Sequence, residues 1–159
     1  MKLTILCVGK QKEKFMRDAV AEYEKRLTRY VKLDVVEVAD EKTPDGASEK
    51  EEERIREKEG ERLLRQIKED DHVVALAISG KQYDSLAFAR RLDGFALCGR
   101  SRVVFVIGGS LGLSEQVLAR ADEELSFSKM TFPHQLMRVI LLEQIYRGYR
   151  IIRGEPYHK

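Results

Sequence analysis

The sequence predicts a single α/β domain, with a mostly parallel sheet and helices on both of its faces. Short runs rich in β-branched residues alternate with longer stretches of amphipathic pattern, which is typical of this class. The run His72–Ile78 is almost entirely apolar, as expected for a strand that is covered on both sides. The 159 residues match the common size of one domain. We therefore expect one domain over residues 1–159.

The first half of the chain predicts three strands and two helices. The strands lie at Leu3–Val8, Leu33–Val38 and His72–Ile78. A helix over Lys12–Tyr30 separates the first two strands. Its expected apolar stripe, at helical spacing, is Phe15, Ala19, Tyr23 and Leu27. The second helix is highly charged and runs from a capping box, Ser48 with Glu51, to about Lys68.

The second half continues the alternation and ends in a long helix. In chain order we expect a loop at Ser79–Gln82, a helix at Ser85–Leu97, a strand at Val103–Ile107, a glycine-rich loop at Gly108–Gly112, a short helix capped by Ser114, a strand at Leu125–Ser128, a loop at Lys129–Phe132, and a helix from Pro133 to about Tyr149. The last helix is apolar on most of its sides, so it must be buried, and we expect a second subunit to supply part of that burial. We expect a homodimer.

Composition limits the class of protein. No apolar run approaches the ~20 residues of a membrane span. The apolar start of the chain is too short and too β-branched for a signal peptide, so we expect a cytoplasmic protein. Cys7 and Cys98 each lie in an apolar stretch and predict two buried thiols. The three histidines and two cysteines form no cluster, which excludes a zinc site; we expect no metal.

Charge is unevenly distributed along the chain. Residues 40–71 hold thirteen acids and eight bases, whereas residues 126–159 hold six bases and two acids. A basic C-terminal end suggests a polyanionic partner there, although an ordinary solvated helix face would give the same count.

The loop Gly108-Gly109-Ser110-Leu111-Gly112 matches the G-x-S-x-G pattern of a hydrolase nucleophile elbow. Asp122 and His134 follow Ser110 in the order found in such enzymes. However, an elbow requires the helix to begin beside the serine, and here the cap falls four residues later. A glycine-rich turn that lets a ligand approach the backbone is the better interpretation.

The sequence lacks the glycine-rich motifs that bind nucleoside triphosphates and dinucleotides. A cofactor without phosphates needs only an apolar slot and backbone groups from loops at the carboxyl ends of strands. Three such loops are expected here: after Ile78, after Ile107, and at Phe127–Phe132.

Several segments resemble a known family. They are listed here in chain order: Leu3–Lys10, Glu57-Lys58-Glu59-Gly60, Val106-Ile107-Gly108-Gly109-Ser110, Phe127-Ser128-Lys129-Met130-Thr131-Phe132-Pro133-His134-Gln135, Arg138, Glu143-Gln144-Ile145-Tyr146-Arg147 and Pro156-Tyr157-His158-Lys159. Together they resemble the ribosomal RNA large-subunit methyltransferase H family of the SPOUT class. The similarity spans essentially the whole chain.

The resemblance implies a homodimeric enzyme with a C-terminal trefoil knot that holds S-adenosylmethionine. It implies methylation of N3 of a pseudouridine in a hairpin of 23S ribosomal RNA, on the RNA itself or on the assembled ribosome. Carried over by position, the cofactor contacts are Leu76, Gly108, Phe127, Ser128, Lys129, Met130, Thr131 and Phe132.

Three residues near the C-terminus are candidates for the chemistry: Arg147, Tyr157 and His158. Loss of the N3 proton builds negative charge that a nearby cation can stabilise. We rank all three as substrate-site residues first. Arg138 is expected to pair with a carboxylate such as Glu143 or with a backbone end. Two other functions stay open from the sequence: a ribosome-binding module without turnover, and a hydrolase that uses Ser110.

Overall fold

The computed structural model describes all residues, 1–159, and contains one five-stranded sheet flanked by five helices. The strands are β1 Lys2–Val8, β2 Lys32–Val38, β3 His72–Gln82, β4 Arg102–Ile107 and β5 Glu123–Ser126. The helices are α1 Lys14–Leu27, α2 Glu49–Leu64, α3 Ser85–Leu97, α4 Glu115–Arg120 and α5 His134–Ile152. All strand pairs are parallel, and the order across the sheet is β2-β1-β4-β3-β5. The predicted α/β class is confirmed.

The sheet separates two hydrophobic cores. Alternate residues of β1 point to opposite sides, so Leu3 and Ile5 join one core while Leu6 and Val8 join the other. The larger core is covered by α1, α3 and α5, and the smaller one by α2 and α4. Helices therefore lie on both faces, as the sequence predicts.

Three helices begin at side-chain caps. The Ser48 hydroxyl accepts a hydrogen bond from the Glu51 amide, and the Ser114 hydroxyl accepts one from the Val117 amide. Both caps were expected from the sequence. The Asp84 carboxylate caps α3 in the same way, by accepting from the Ala87 amide.

The predicted loop at Ser79–Gln82 is wrong, because strand β3 continues through Gln82. The strand reaches that length through an irregularity: both Leu76 and Lys81 pair with Leu125 of β5. Gly80 makes the close approach possible, since a Cβ at this position would lie 2.7 Å from the backbone carbon of Glu124. In the sequence Gly80 suggests a turn, but in the structure it is the position at which the backbones of β3 and β5 come into contact.

Two predicted core residues lie at the surface. The side chain of Phe15 is 65% exposed, because α1 buries Val20 and Leu27 together with half-buried Tyr23, a stripe that leaves Phe15 outside it. Cys98 is also exposed, since it lies beyond the last turn of α3. Cys7 is buried as expected.

Helix α5 obtains most of its burial within the same chain. It packs between α1 and α3, and Leu141, Leu142 and Ile145 are completely inaccessible. The expectation that this helix depends on a second subunit for burial therefore applies only to its half-buried residues.

None of the five helices has the length and apolar character needed to span a membrane. The trefoil knot implied by the resemblance stays a prediction.

Candidate active site

A cavity of about 910 Å³ opens at the carboxyl ends of β3, β4 and β5. This is the edge of a parallel sheet at which α/β proteins bind their ligands, and the size lies within the usual range for small-molecule sites. The walls are mostly apolar. They are formed by four segments: Leu76–Ser79, Ile107–Leu113, Leu125–Ser128 and Met130–His134, with Leu118 and Met137 behind them.

The Gly108–Gly112 loop forms one wall as a tight turn. Gly109 and Gly112 make an isolated antiparallel bridge, and Gly112 has a φ of +85°. A Cβ at Gly108 would lie 2.7 Å from the carbonyl carbon of Gly112. The loop is therefore packed closely against itself, and even a methyl group at Gly108 would force it apart.

The segment Phe127–Phe132 forms the opposite wall. It is held by two local hydrogen bonds: the Ser126 hydroxyl donates to the carbonyl of Ser128 at 3.1 Å, and the Ser128 hydroxyl accepts from the Met130 amide at 3.0 Å. Lys129 differs from its neighbours, because it is exposed and does not line the cavity. Of the residues expected to contact the cofactor, the structure brings these together on the cavity: Leu76, Gly108, Phe127, Ser128, Met130, Thr131 and Phe132.

His134 lines the same cavity, although the sequence singled it out only as the histidine of a possible hydrolase triad. Burial lowers the pKa of its imidazole, and the nearby charge of Arg138 lowers it further against the opposing effect of Asp40. A neutral imidazole at physiological pH follows from this. Its position directly after Pro133, at the start of α5, is the sequence signal that could have identified it.

Arg147 and Tyr157 converge on Glu143, and His158 contacts Arg147. The Arg147 guanidinium donates to Glu143 through Nε at 3.0 Å and through Nη2 at 2.6 Å, and the Tyr157 hydroxyl donates to the same carboxylate at 3.2 Å. Nη1 of Arg147 lies 3.1 Å from Nδ1 of His158. Since arginine can only donate, Nδ1 must accept, which leaves the imidazole proton on Nε2.

The pKa values of this cluster favour hydrogen-bond donation. The hydrogen bond to Glu143 raises the pKa of Arg147, so its charge is permanent. Burial, reinforced by the charge of Glu143, raises the pKa of Tyr157, so the phenol keeps its proton at neutral pH. The cluster is therefore suited to stabilising negative charge on a ligand.

A second cavity, of about 500 Å³, lies between His158 of this cluster and the first cavity. His158 lines it together with Gln144 and Tyr83. The two cavities share a wall formed by Leu125, Ser126 and Phe127. The C-terminal tail thus lies next to the segment that borders the large cavity.

Arg138 pairs with a different carboxylate from the one expected. It is 1% exposed and binds Glu37 on β2 at 2.5 Å, while its Nη2 donates to the carbonyls of Val8 and Gly9. The backbone contact was anticipated and the partner Glu143 was wrong, because Arg138 points to the ends of β1 and β2. The arginine fastens the first turns of α5 to that edge of the sheet.

The hydrolase alternative fails on geometry. Ser110 and His134 both line the large cavity. Asp122, however, accepts a hydrogen bond from the Val73 amide near the start of β3. The amino ends of the strands lie on the side of the sheet away from the cavity. No Ser-His-Asp triad can form from these residues.

Comparisons with known proteins identify the family of this chain. A family model described as a predicted SPOUT methyltransferase matches residues 1–158. Curated proteins named ribosomal RNA large subunit methyltransferase H match over the full length of both chains, with 62% identity in Clostridium beijerinckii, 61% in Bifidobacterium adolescentis and 57% in Bacillus pumilus. The solved structure of a probable methylase family protein from Haemophilus influenzae shares the fold: the TM-score is 0.56 at 10% identity, over 99% of this chain and 70% of the other.

The coverage is complete and the identity far exceeds what a shared fold alone would give. The chain is a methyltransferase that belongs to the SPOUT family, in the group of the ribosomal RNA large subunit methyltransferase H proteins.

Proposed function

We propose that this protein transfers a methyl group from S-adenosylmethionine to N3 of a pseudouridine in a hairpin loop of large-subunit (23S) ribosomal RNA in the cytoplasm. The observation that carries the proposal is the position of the Arg147–Glu143 cluster, one shared wall away from an apolar cavity of cofactor size. The names of the close relatives support ribosomal RNA as the substrate. The acceptor atom and base rest on the family resemblance.

The large cavity fits a cofactor that has an adenine ring and no phosphates. Its apolar walls suit the base, and the Gly108–Gly112 loop that lines the cavity supplies backbone groups for the polar parts of the ligand. Leu76, Gly108 and the segment Phe127–Phe132 would hold the cofactor, with Lys129 directed outwards. When bound, S-adenosylmethionine supplies a methyl group that is already activated by its sulfonium.

The N3 proton passes to solvent water as the methyl group is transferred. The chain's own residues then have two tasks: to place the acceptor in line and to stabilise the negative charge that develops at N3 and its flanking carbonyls. Arg147 and the Nε2–H of His158 can donate to the carbonyls beside N3. Tyr157 is a poor base because its pKa is raised, and its hydroxyl instead holds Glu143. Glu143 in turn orients Arg147 through two donated hydrogen bonds.

Homodimer formation belongs to the same proposal. Three large apolar side chains are exposed at the two cavities: Ile78 at 52% and Met130 at 73% on the first, and Leu86 at 48% on the second. A second copy that covered them would close the site to water, which strengthens every hydrogen bond within it.

The test is methyl transfer by purified protein from labelled S-adenosylmethionine to large ribosomal subunits and to assembled ribosomes lacking the modification. We expect incorporation at one nucleotide, and a loss on the order of 10²-fold or more for Arg147→Ala. Arg100→Ala, which removes an exposed arginine beyond α3, is the matched control. Cofactor binding without any transfer to either substrate would favour a ribosome-binding module and contradict the proposal.

A further inference from the structure

Phe15 is the only aromatic among the large apolar side chains that the fold leaves exposed. It lies in the first turn of α1, is 65% exposed, and is not part of the hydrophobic core. An exposed phenyl ring is costly in water, so its surroundings indicate what it could bind.

Those surroundings are basic. Residues Lys10–Arg17, here called the basic platform, contain four bases and one acid, Glu13. Lys10 and Lys12 are exposed and form no ion pair, so their charges are available to a ligand. The Arg17 guanidinium donates to the carbonyls of Gln11 and Lys12, which holds the turn in front of the helix in one shape.

The basic platform is fastened to the rim of the large cavity. The Gln11 side-chain amide donates to the carbonyl of Gln135, and the Gln135 amide donates to the carbonyl of Lys10. Gln135 follows His134, which lines the cavity. A ligand that reaches into the cavity from outside could therefore extend across the platform.

The chemistry of this surface selects among possible occupants. Subunit interfaces are depleted in lysine at their centres, whereas the basic platform contains three lysines. The exposed apolar residues suited to a second copy lie elsewhere, at Ile78, Leu86 and Met130. Lysines beside an exposed aromatic ring are what single-stranded nucleic acid requires, with phosphates on the cations and a base stacked on the ring.

We propose that the basic platform binds a single-stranded segment of the RNA substrate that flanks the acceptor nucleotide. Phe15 stacks on an unpaired base, and Lys10 and Lys12 bind the adjoining phosphates. The inference rests on the proposed function, since it takes RNA to be the substrate, and it adds a binding surface that is separate from the two cavities.

The test measures the affinity for a fluorescein-labelled single-stranded RNA 20-mer by fluorescence anisotropy at several salt concentrations. Removing a base-stacking ring typically weakens binding by about tenfold or more, so we expect that loss for Phe15→Ala. Phe15→Tyr should restore binding, while Phe15→Leu, which keeps an apolar side chain without the ring, should not. Leu97→Ala is the matched control, because Leu97 is an apolar side chain that is 81% exposed and lies outside the platform.

The lysines are tested by salt dependence. Lys12→Gln should lower the slope of log affinity against log salt by about 0.7, the value for one phosphate contact on a single strand. Lys50→Gln, an exposed lysine on α2, should leave the slope unchanged. Affinity for S-adenosylmethionine should be that of the wild type in every variant.

Three results would overturn the platform: no binding of the RNA by the wild type at low salt, Phe15→Ala or Phe15→Leu binding as tightly as the wild type, or a change of oligomeric state in Phe15→Ala that reveals a subunit interface. Methylation of ribosomes by the wild-type protein reports separately on the proposed function. If the wild-type protein methylates ribosomes and the platform variants bind the RNA as tightly as the wild type, the proposed role of the basic platform is wrong and the proposed function stands.

Discussion

Gly108 and Gly94 both lie in or beside regular structure, yet a side chain would meet different surroundings at the two positions. A Cβ at Gly108 would collide with the backbone of Gly112 at 2.7 Å, whereas a Cβ at Gly94 has no atom within 4 Å. Because backbone cannot give way as a flexible side chain does, Gly108→Ala should distort the loop that lines the large cavity. We expect affinity for S-adenosylmethionine, measured by calorimetry, to fall at least tenfold. Gly94→Ala should bind normally, and equal affinities in the two variants would remove this loop from the site.

Glu59 is a buried carboxylate behind the same loop. Its Oε2 accepts from the Glu41 amide, but Oε1 is buried without a partner and would lie 3.1 Å from a Cβ at Gly109. Burial raises the pKa of this carboxyl, and the charges of Asp40 and Glu41 raise it further against Arg62. A raised acid pKa means that the folded state is favoured by protonation, so this contribution to stability is lost as pH rises through the folded-state pKa.

Glu59→Gln should therefore stabilise the protein at pH 8, because it removes an incompletely paired buried charge. We expect Tm to rise by roughly 2–4 °C, and the gain over the wild type to shrink as the pH is lowered towards 4. Thermal unfolding followed by circular dichroism checks this, with the exposed neighbour Glu57→Gln as control. A gain that stayed constant with pH would rule out the buried charge as its cause.

Single residues show where sequence reasoning succeeds and where it fails. The position of Phe127 on the cavity follows from a motif at the end of a strand, and the structure agrees. The direction of Lys129, however, depends on the local turn, and periodicity cannot give it. The same limit applies to Phe15, since a stripe shifted by one residue satisfies the helical pattern equally well.

Among the elements, the C-terminal tail has the clearest consequence for turnover. Tyr157 is half-buried, and its ring packs edge-on against Tyr146 with centroids 5.0 Å apart. Removing Tyr157–Lys159 therefore disturbs the packing as well as the site. Deletion of His158–Lys159 alone separates the two effects, because both residues are exposed.

We expect the shorter deletion to leave cofactor affinity and Tm near wild type and to lower kcat for methyl transfer on the order of 10²-fold, the usual scale for loss of positioning or charge stabilisation. Lys159→Ala is the control, and single-turnover kinetics on ribosomes is the measurement. A deletion variant with full kcat would exclude His158 from the active site.

The sequence largely predicted which segments form helices and strands, but it did not predict where each of them ends. Strand β3 was expected to stop at Ile78, because Ser79 and Gly80 resemble a turn, yet pairing with β5 carries it to Gln82. Contacts between segments far apart in the chain decide such boundaries, and a local pattern contains no record of them. The apolar pattern of helix α5 correctly predicted that the helix is buried. The pattern could not show which other elements of the protein cover it.

For the whole molecule, oligomeric state is the property most open to test. If a second copy covers the exposed apolar residues at the cavities, Ile78→Asp should place an unpaired charge in the interface and yield monomer. Leu97→Asp is the matched control, since Leu97 is more exposed and lies away from both cavities. Sedimentation at micromolar concentration distinguishes the two, and a wild-type protein that sediments only as monomer would contradict the homodimer.

The parallel sheet and its two helical layers followed from the alternation of patterns along the chain. The site followed only in part. The distribution of charge indicated a basic end, and the lack of nucleotide-binding motifs favoured a cofactor without phosphates, but neither could place Arg147 beside His158. Their meeting depends on a tail that folds back along α5 to reach Glu143. The identity of the cofactor and of the acceptor base came from resemblance to a family.

The proposed function of this chain is methylation of one pseudouridine of large-subunit ribosomal RNA. Mass spectrometry of nucleosides from the ribosomal RNA of cells that lack the protein tests it most directly. We predict that a single N3-methylpseudouridine is lost, that the wild-type protein restores it, and that Arg147→Ala does not. The same amount of this nucleoside with and without the protein would contradict the claim.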